Sequence, residues 1–560
     1  MSEVKTEETV EYEQELKYRL KILKEDFEAG KINIAEGLSV NDSLNSVRYD
    51  KNGEIDLETV DGVVRSMAMM SAVIRNREDL KNSISLSEIQ HTYFEFVERN
   101  FGAFYKIMQE RKMSPHDAGM IASKCPSTIK ELLTNVNEFL DAINEFWMQT
   151  GDIAQIHIED MHSNVKGVFG GDLFPSHSEN IASKCGIYTD TIILPDPFLR
   201  SKHIFENFSN EKKAYYFMKH AMNILQYKDL ACADVEIPII AIIPDFSALE
   251  EEEKEFYHKL GIQDSLIHSQ KLFGRKFESF DELMEFTQHL DTVEKAIAEV
   301  NDPSKILFDT SWKGDAKEQL KQALDSNYFG MHQFNSPGLM LAMQAVGRMG
   351  TSNELLIKAR RLNGTPIIDA PTSWKYFSWK IEYDAERMEK ETNSHDLHVL
   401  NGLQGLGTNQ MEWIGNIPVE ALIEIRKEGA LDEIRSLLGK GINDLIDSNP
   451  SNFHRTRDQI FDNINSAFKD HEENLKLLKS KQWKFAGTDI GSWMVMGTLE
   501  VAAAITGTPV WGMGALAVNQ VVDAPKLKDI PSSIKKLVEE NKKVKKSPVG
   551  LLFNIRKKNA

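Results

Sequence analysis

Residues 239–246 read IIAIIPDF, and three further stretches repeat the design: IILPDP at 192–197, KILFDT at 305–310 and TPIIDA at 365–370. Each is a short isoleucine-rich run closed by an aspartate, in chain order Asp196, Asp245, Asp309 and Asp369. Apolar runs of roughly 4–8 residues bounded by turn formers suit strands buried on both faces, as in a parallel sheet covered by helices. A fifth run occupies 154–158, and helical patterns such as 206–227 and 277–300 lie between the runs. The expected fold class is therefore predominantly α with a central α/β domain holding a partly parallel sheet, in a multidomain chain.

Outward from this block the texture changes on both sides. Residues 1–151 form a helical N-terminal region with one β-hairpin, signalled by Asn52-Gly53 between alternating runs. Ser114-Pro115 opens a helix there, and a further apolar helical face that includes Trp147 is expected to stop at Gly151. The α/β domain is assigned to 152–375 and a helical region to 376–483, with a long charged helix at 455–483. Residues 484–560 make the last segment. Its first part, 490–522, is rich in small and apolar residues with Glu500 as its one charge, and it reads as a helical hairpin turning at Gly507-Thr508-Pro509. Each arm is shorter than the roughly 20 residues that span a bilayer. A basic tail follows.

The 560 residues carry 66 basic and 85 acidic side chains, a net charge of −19. That sum conceals a division. Residues 526–560 hold 11 basic and 3 acidic groups, so the tail is +8 and the first 525 residues are −27. An acidic body speaks against nucleic-acid coating by residues 1–525, whereas an apolar hairpin beside a polybasic tail suits a partner surface or an anionic membrane. Trp493, Trp511, Lys535, Lys536, Lys542, Lys543, Lys545 and Lys546 are the expected contacts. Three scattered cysteines, Cys125, Cys185 and Cys232, make no disulfide framework and fit a reducing cytoplasm. The expected location is cytoplasmic, with the hairpin either packed in a domain core or oligomer interface or set peripherally at the inner face of a membrane.

Two constellations could carry chemistry. Carboxylates gathered beyond the carboxyl ends of parallel strands are hard ligands for Mg²⁺ or Mn²⁺, and such a site would hydrolyse phosphorylated substrates. The competing reading makes each aspartate a helix cap. It suits Asp196, which precedes Pro197. After Asp245, Asp309 and Asp369 other caps are at hand: Ser247, Asp315, and Thr372 or Ser373. The second constellation is HIEDMH at 157–162, where His157 and His162 would ligate a metal with Asp172, His177 and Cys185 following. The histidines are five apart, which is not the same-face spacing of a helical zinc motif. No phosphate-binding glycine loop or serine-hydrolase elbow occurs.

Three functions follow as expectations. The first is a cytosolic, self-associating interaction or effector protein acting through its C-terminal segment. The others are a divalent-metal hydrolase built on the four aspartates, and a scaffold without catalysis.

Overall fold

The computed structural model describes residues 7–32, 40–49, 51, 54–161, 165–175, 180–245, 251–329, 335–389, 410–435, 437, 469–470 and 472–498. They fall into two compact units, one ending at Ser85 and one beginning at Leu86. In the first, helices Glu7–Glu28 and Gly62–Ser83 bury Leu16, Leu20 and Leu23 against Val60, Val64 and Ala68. Asp61 caps the second helix by accepting from the Val64 amide at 3.0 Å. The turn of the expected hairpin, Asn52-Gly53, lies outside the described residues, and the chain on either side of it meets in an antiparallel bridge, Tyr49 to Ile55. Beyond it Asp56 accepts from the Glu58 amide and starts a 3₁₀ turn, Leu57–Thr59. That side-chain bond offers the backbone an alternative to a ladder.

The second unit begins with four helices, Leu86–Glu110, Pro115–Lys124, Pro126–Thr134 and Val136–Glu159. Ser114 and Asp117 close a capping box on the second, as Ser114-Pro115 foretold. The fourth runs straight through Gly151, so the run at 154–158 is a helix end and not a strand. Ile153, Ala154, Ile156 and Ile158 are all buried there, and a helix end that buries this many closely spaced apolar residues is hard to tell from a buried strand by apolarity alone.

The central sheet has four parallel strands: β1 Lys166–Phe169, β2 Thr191–Pro195, β3 Ile240–Ile243 and β4 Thr365–Ile367. Their order is β3-β2-β1-β4. The expectation of a predominantly α chain with a central α/β domain is met. β1 escaped the sequence reading because KGVF carries a lysine and a glycine. A Cβ at Gly167 would stand 2.2 Å from Ile367 Cδ1, so glycine is what lets β1 and β4 close up. The Lys166 ammonium, buried, donates to the Ile158 carbonyl at 3.0 Å. Conversely, 306–308 is no strand. Its backbone is satisfied by side chains instead: Gln319 accepts from the Phe308 amide, and Gln344 and Tyr376 donate to the Leu307 carbonyl. The outer edge of β3 is closed by Gln90, whose amide exchanges two hydrogen bonds with Ile242, at 2.9 and 2.8 Å.

Beyond β4 the chain enters helix Pro371–Glu389, and later strands break the helical pattern expected for 376–483 and for 484 onward. β5 Gln410–Ile414 pairs antiparallel with β8 Met494–Thr498, and β6 Lys484–Phe485 with β7 Thr488–Asp489. Residues 484–498 are thus a hairpin, a 3₁₀ turn at Ile490–Trp493 and a strand, not the start of an apolar helix. Ala486 and Gly487 both have positive φ, 45° and 76°, which is the backbone of a tight two-residue hairpin turn. Among the described residues, no helix is long and apolar enough to cross a membrane.

Candidate functional site

The order β3-β2-β1-β4 reverses direction at β1. From β1 the chain builds outward to β2 and β3, then crosses back to lay β4 on the other side. The loops leaving β1 and β4 therefore part in opposite directions and open a crevice at the carboxyl ends of the strands, the place where open α/β sheets bind ligands. A cleft of about 470 Å³ lies there. Asp172, from the loop after β1, forms one wall, and Ala370, Pro371 and Thr372, from the loop after β4, form another. Asp309, Thr310 and Ser311 supply a rim, and Arg348 reaches in from helix Pro337–Arg361.

Arg348 organises the floor. Its guanidinium donates to Ser373 Oγ at 2.9 Å and to the Tyr328 hydroxyl at 3.0 Å, and it pairs with Asp172 at 3.3 Å. Ser373 Oγ donates to the Asp172 carboxylate at 2.6 Å, with the Gly171 carbonyl 3.0 Å away. Burial pushes the Asp172 carboxyl above its ordinary pKa, while Arg348 and Ser373 oppose the shift. Burial also works against the charge of Arg348, but Tyr328 and Asp172 prevail and its pKa is raised. On the rim, Thr372 Oγ1 accepts from the Thr310 amide at 2.9 Å, and Asp309 accepts from both the amide and the hydroxyl of Ser311 at 2.7 Å. Pro371, Thr372 and Ser373 form the first turn of helix Pro371–Glu389, whose positive dipole end belongs to this wall.

The four run-ending aspartates do not assemble around one ion. Asp196 is buried at the end of β2 and caps helix Pro197–Arg200, accepting from the Phe198 and Leu199 amides and from the Trp147 indole, each at 2.8 Å. Burial pushes its carboxyl up, in spite of those donors. Asp245, beyond β3, pairs with Lys358 at 2.5 Å and with Arg200 at 3.1 Å. Although its burial acts the other way, these two cations hold the Asp245 carboxyl below the usual carboxylate range. Asp369 pairs with Lys184 at 2.6 Å. Only Asp309 lines the cleft, and it stands on a loop rather than at a strand end. Asp315 and not Asp309 caps the helix that follows, accepting from the Glu318 amide at 3.0 Å. Among the described residues no three His, Cys, Asp or Glu side chains are placed to hold a metal. The four aspartates thus do not meet in the shared Mg²⁺ or Mn²⁺ site expected of them, since each already serves local partners of its own.

His157 of the histidine constellation lies on helix Val136–Glu159, while His162 and His177 lie outside the described residues. Cys185 is buried, its thiol donating to the Ile181 carbonyl and pushed up by burial. Asp172, read as a follower of that constellation, belongs to the cleft. Trp493 is enclosed, 1 % exposed, with its indole donating to Thr488 Oγ1 at 3.2 Å, so it is no surface contact of the described chain. Trp511 and the lysines at 535, 536, 542, 543, 545 and 546 lie outside the described residues.

Arg348, Ser373 and Tyr328 were not legible as site residues. The Gly170-Gly171-Asp172 turn after a short apolar strand was the available signal for the first wall. Nothing near Arg348 in sequence marks it, because its role comes from a helix laid across the sheet. The chain matches no protein-family model, no curated protein and no solved structure.

Proposed function

We propose that the α/β body binds a small anionic molecule, one bearing a phosphate or carboxylate, in the cleft at the β1/β4 switch point. The observation that carries this reading is Arg348, a fixed guanidinium that lines the cleft and is held against the first turn of helix Pro371–Glu389. A guanidinium and a helix N-terminus with hydroxyl neighbours favour negative charge by complementary means, one through a planar donor fork and the other through backbone amides. A volume of about 470 Å³ is in the range of small-molecule sites. The test is thermal unfolding of the full chain with inorganic phosphate and with a panel of phosphorylated and carboxylated metabolites. A bound anion at about 100 times its Kd should stabilise the fold by roughly 2.7 kcal/mol. Arg348→Lys should weaken the shift and Arg348→Met should remove it. No shift in the wild type, or an equal one in Arg348→Met, defeats the reading.

A second reading is favoured by composition. Residues 490–522 hold one charge, and 526–560 are +8, so we propose that residues 499–560 contact a partner or an anionic membrane at the cytoplasmic face, as an effector or self-associating protein would. Because β8 is part of the folded body, the cut that tests it falls after Thr498. Flotation with anionic liposomes should lose its signal in the chain ending there.

A further inference from the structure

The charged side chains that line the cleft are Arg348, Asp172 and Asp309; the rest of its lining is uncharged. Arg348 is already answered by Asp172, 3.3 Å away. Among the described residues, bonds to Asp172, Ser373 and Tyr328 use three of its five N–H donors, and two are left for a ligand.

Asp309 has no such counterpart. Its Oδ1 accepts from the amide and the hydroxyl of Ser311, both at 2.7 Å, whereas Oδ2 has no hydrogen-bond or ion-pair partner among the described residues. The backbone on either side holds this carboxylate in place on the rim. The Asp309 amide donates to Gln319 Oε1 at 3.4 Å, and Thr310 joins Thr372 Oγ1 through its amide and its hydroxyl, at 2.9 and 3.2 Å.

The lining therefore carries one more negative than positive charge. A simple anion at Arg348 would stand beside Asp172, in a cleft that Asp309 makes net negative, and the dipole of helix Pro371–Glu389 offsets only part of that opposition. A ligand with an ammonium of its own removes the conflict. An ammonium brings three donors and no acceptor, and the rim offers it Asp309 Oδ2 and the lone pairs of Ser311 Oγ.

We propose that the ligand of this cleft is a zwitterion, its phosphate or carboxylate received by Arg348 and the first turn of helix Pro371–Glu389, its ammonium by Asp309 beside Ser311. This rests on the anion-binding reading above and narrows it to amine-bearing compounds, either a phosphorylated amine or an amino acid. Calorimetric titration of the full chain with two matched pairs tests it: phosphoethanolamine against ethyl phosphate, and 4-aminobutyrate against butyrate. Within a pair the ligands differ by the ammonium alone. In one pair the amine should bind at least about tenfold more tightly, the worth of a hydrogen bond to a charged group, and which pair does so separates phosphate from carboxylate. Asp309→Asn keeps an oxygen for Ser311 and removes the charge. There the preference should fall to about twofold or less, and the amine-free ligand should bind more tightly than in wild type because a repelling carboxylate has gone. That gain also shows that the cleft of the variant is folded. A wild type that binds the amine-free member of each pair as tightly as the amine, or a preference that survives in Asp309→Asn, overturns this inference and leaves the anion site standing. A wild type that binds none of the four overturns both.

Discussion

Replacing Gln90 with methionine keeps the length of the side chain and removes its amide. Gln90 is 0 % exposed, and its two bonds to Ile242 are the ones that close the outer edge of the sheet. The variant leaves a backbone N–H and a backbone C=O buried without partners. Each such group costs about 1–3 kcal/mol, so the expected loss is about 2–6 kcal/mol. Hydrogen exchange is the suitable assay, because a chain of two units need not unfold in one step. A loss of about 2 kcal/mol is worth roughly 30-fold in an opening equilibrium, so the Ile242 amide should exchange at least about 30 times faster in the variant. Gln90→Glu adds a second arm. Its carboxylate can still accept from the Ile242 amide, but only the protonated form can donate to the Ile242 carbonyl. The folded state therefore raises the glutamate pKa above its unfolded value of about 4.3. For an acid shifted upward the penalty is absent below the unfolded pKa and grows as pH rises through the folded one. Relative to wild type, Gln90→Glu should be less damaged at pH 4 than at pH 7. Unchanged Ile242 exchange in Gln90→Met, or equal damage by Gln90→Glu at both pH values, would refute the edge-closing role.

Lys358→Met should destabilise the fold by about 3–5 kcal/mol, because it strips one cation from a fully buried carboxylate. Lys358 and Arg200 hold the Asp245 pKa down, so the pair's contribution is present above the unfolded value of about 3.9 and is lost as pH falls through the folded one; the variant should move the acid-unfolding midpoint, followed by circular dichroism, to higher pH. Gly338→Ala places a Cβ 2.0 Å from the Thr287 carbonyl oxygen, a backbone atom that cannot swing aside, and a loss of about 1–3 kcal/mol should appear as a lower thermal midpoint. Ser114→Ala removes one half of a capping box and should cost about 1 kcal/mol, measurable by urea unfolding, with Ser114→Asp retaining most of it.

The strands β2, β3 and β4 were readable because their side chains are buried on both faces, which writes a continuous apolar run into the sequence. The Asp196 cap was readable because Pro197 follows it, and the Ser114 cap because Pro115 does. The same criterion misassigned 154–158, where a helix end buries closely spaced apolar residues, and 306–308, where Gln319, Gln344 and Tyr376 take the place of neighbouring strands. β1 was hidden for the opposite reason, since contact with Ile367 demanded a glycine where apolarity would have advertised a strand. β5 and β8 were hidden by distance: each becomes a strand by pairing with the other across some 80 residues of chain.

Local chemistry therefore set the fold class, several caps and the division of charge between body and tail, because burial, capping and composition act over a few residues or over plain sums. Strand order lay beyond it. The reversal at β1 creates the crevice, and that reversal follows from which strands find one another after long crossovers. The site residues inherit the same dependence. Asp172, Arg348 and Ser373 are separated by 176 and 25 positions and become one hydrogen-bonded group only when helix Pro337–Arg361 is laid against the ends of β1 and β4. The strand-end aspartates show the converse, since similar local sequences led Asp196, Asp245 and Asp369 to three different partners. A carboxylate's surroundings are assembled by the tertiary structure, and its chemistry follows from those surroundings.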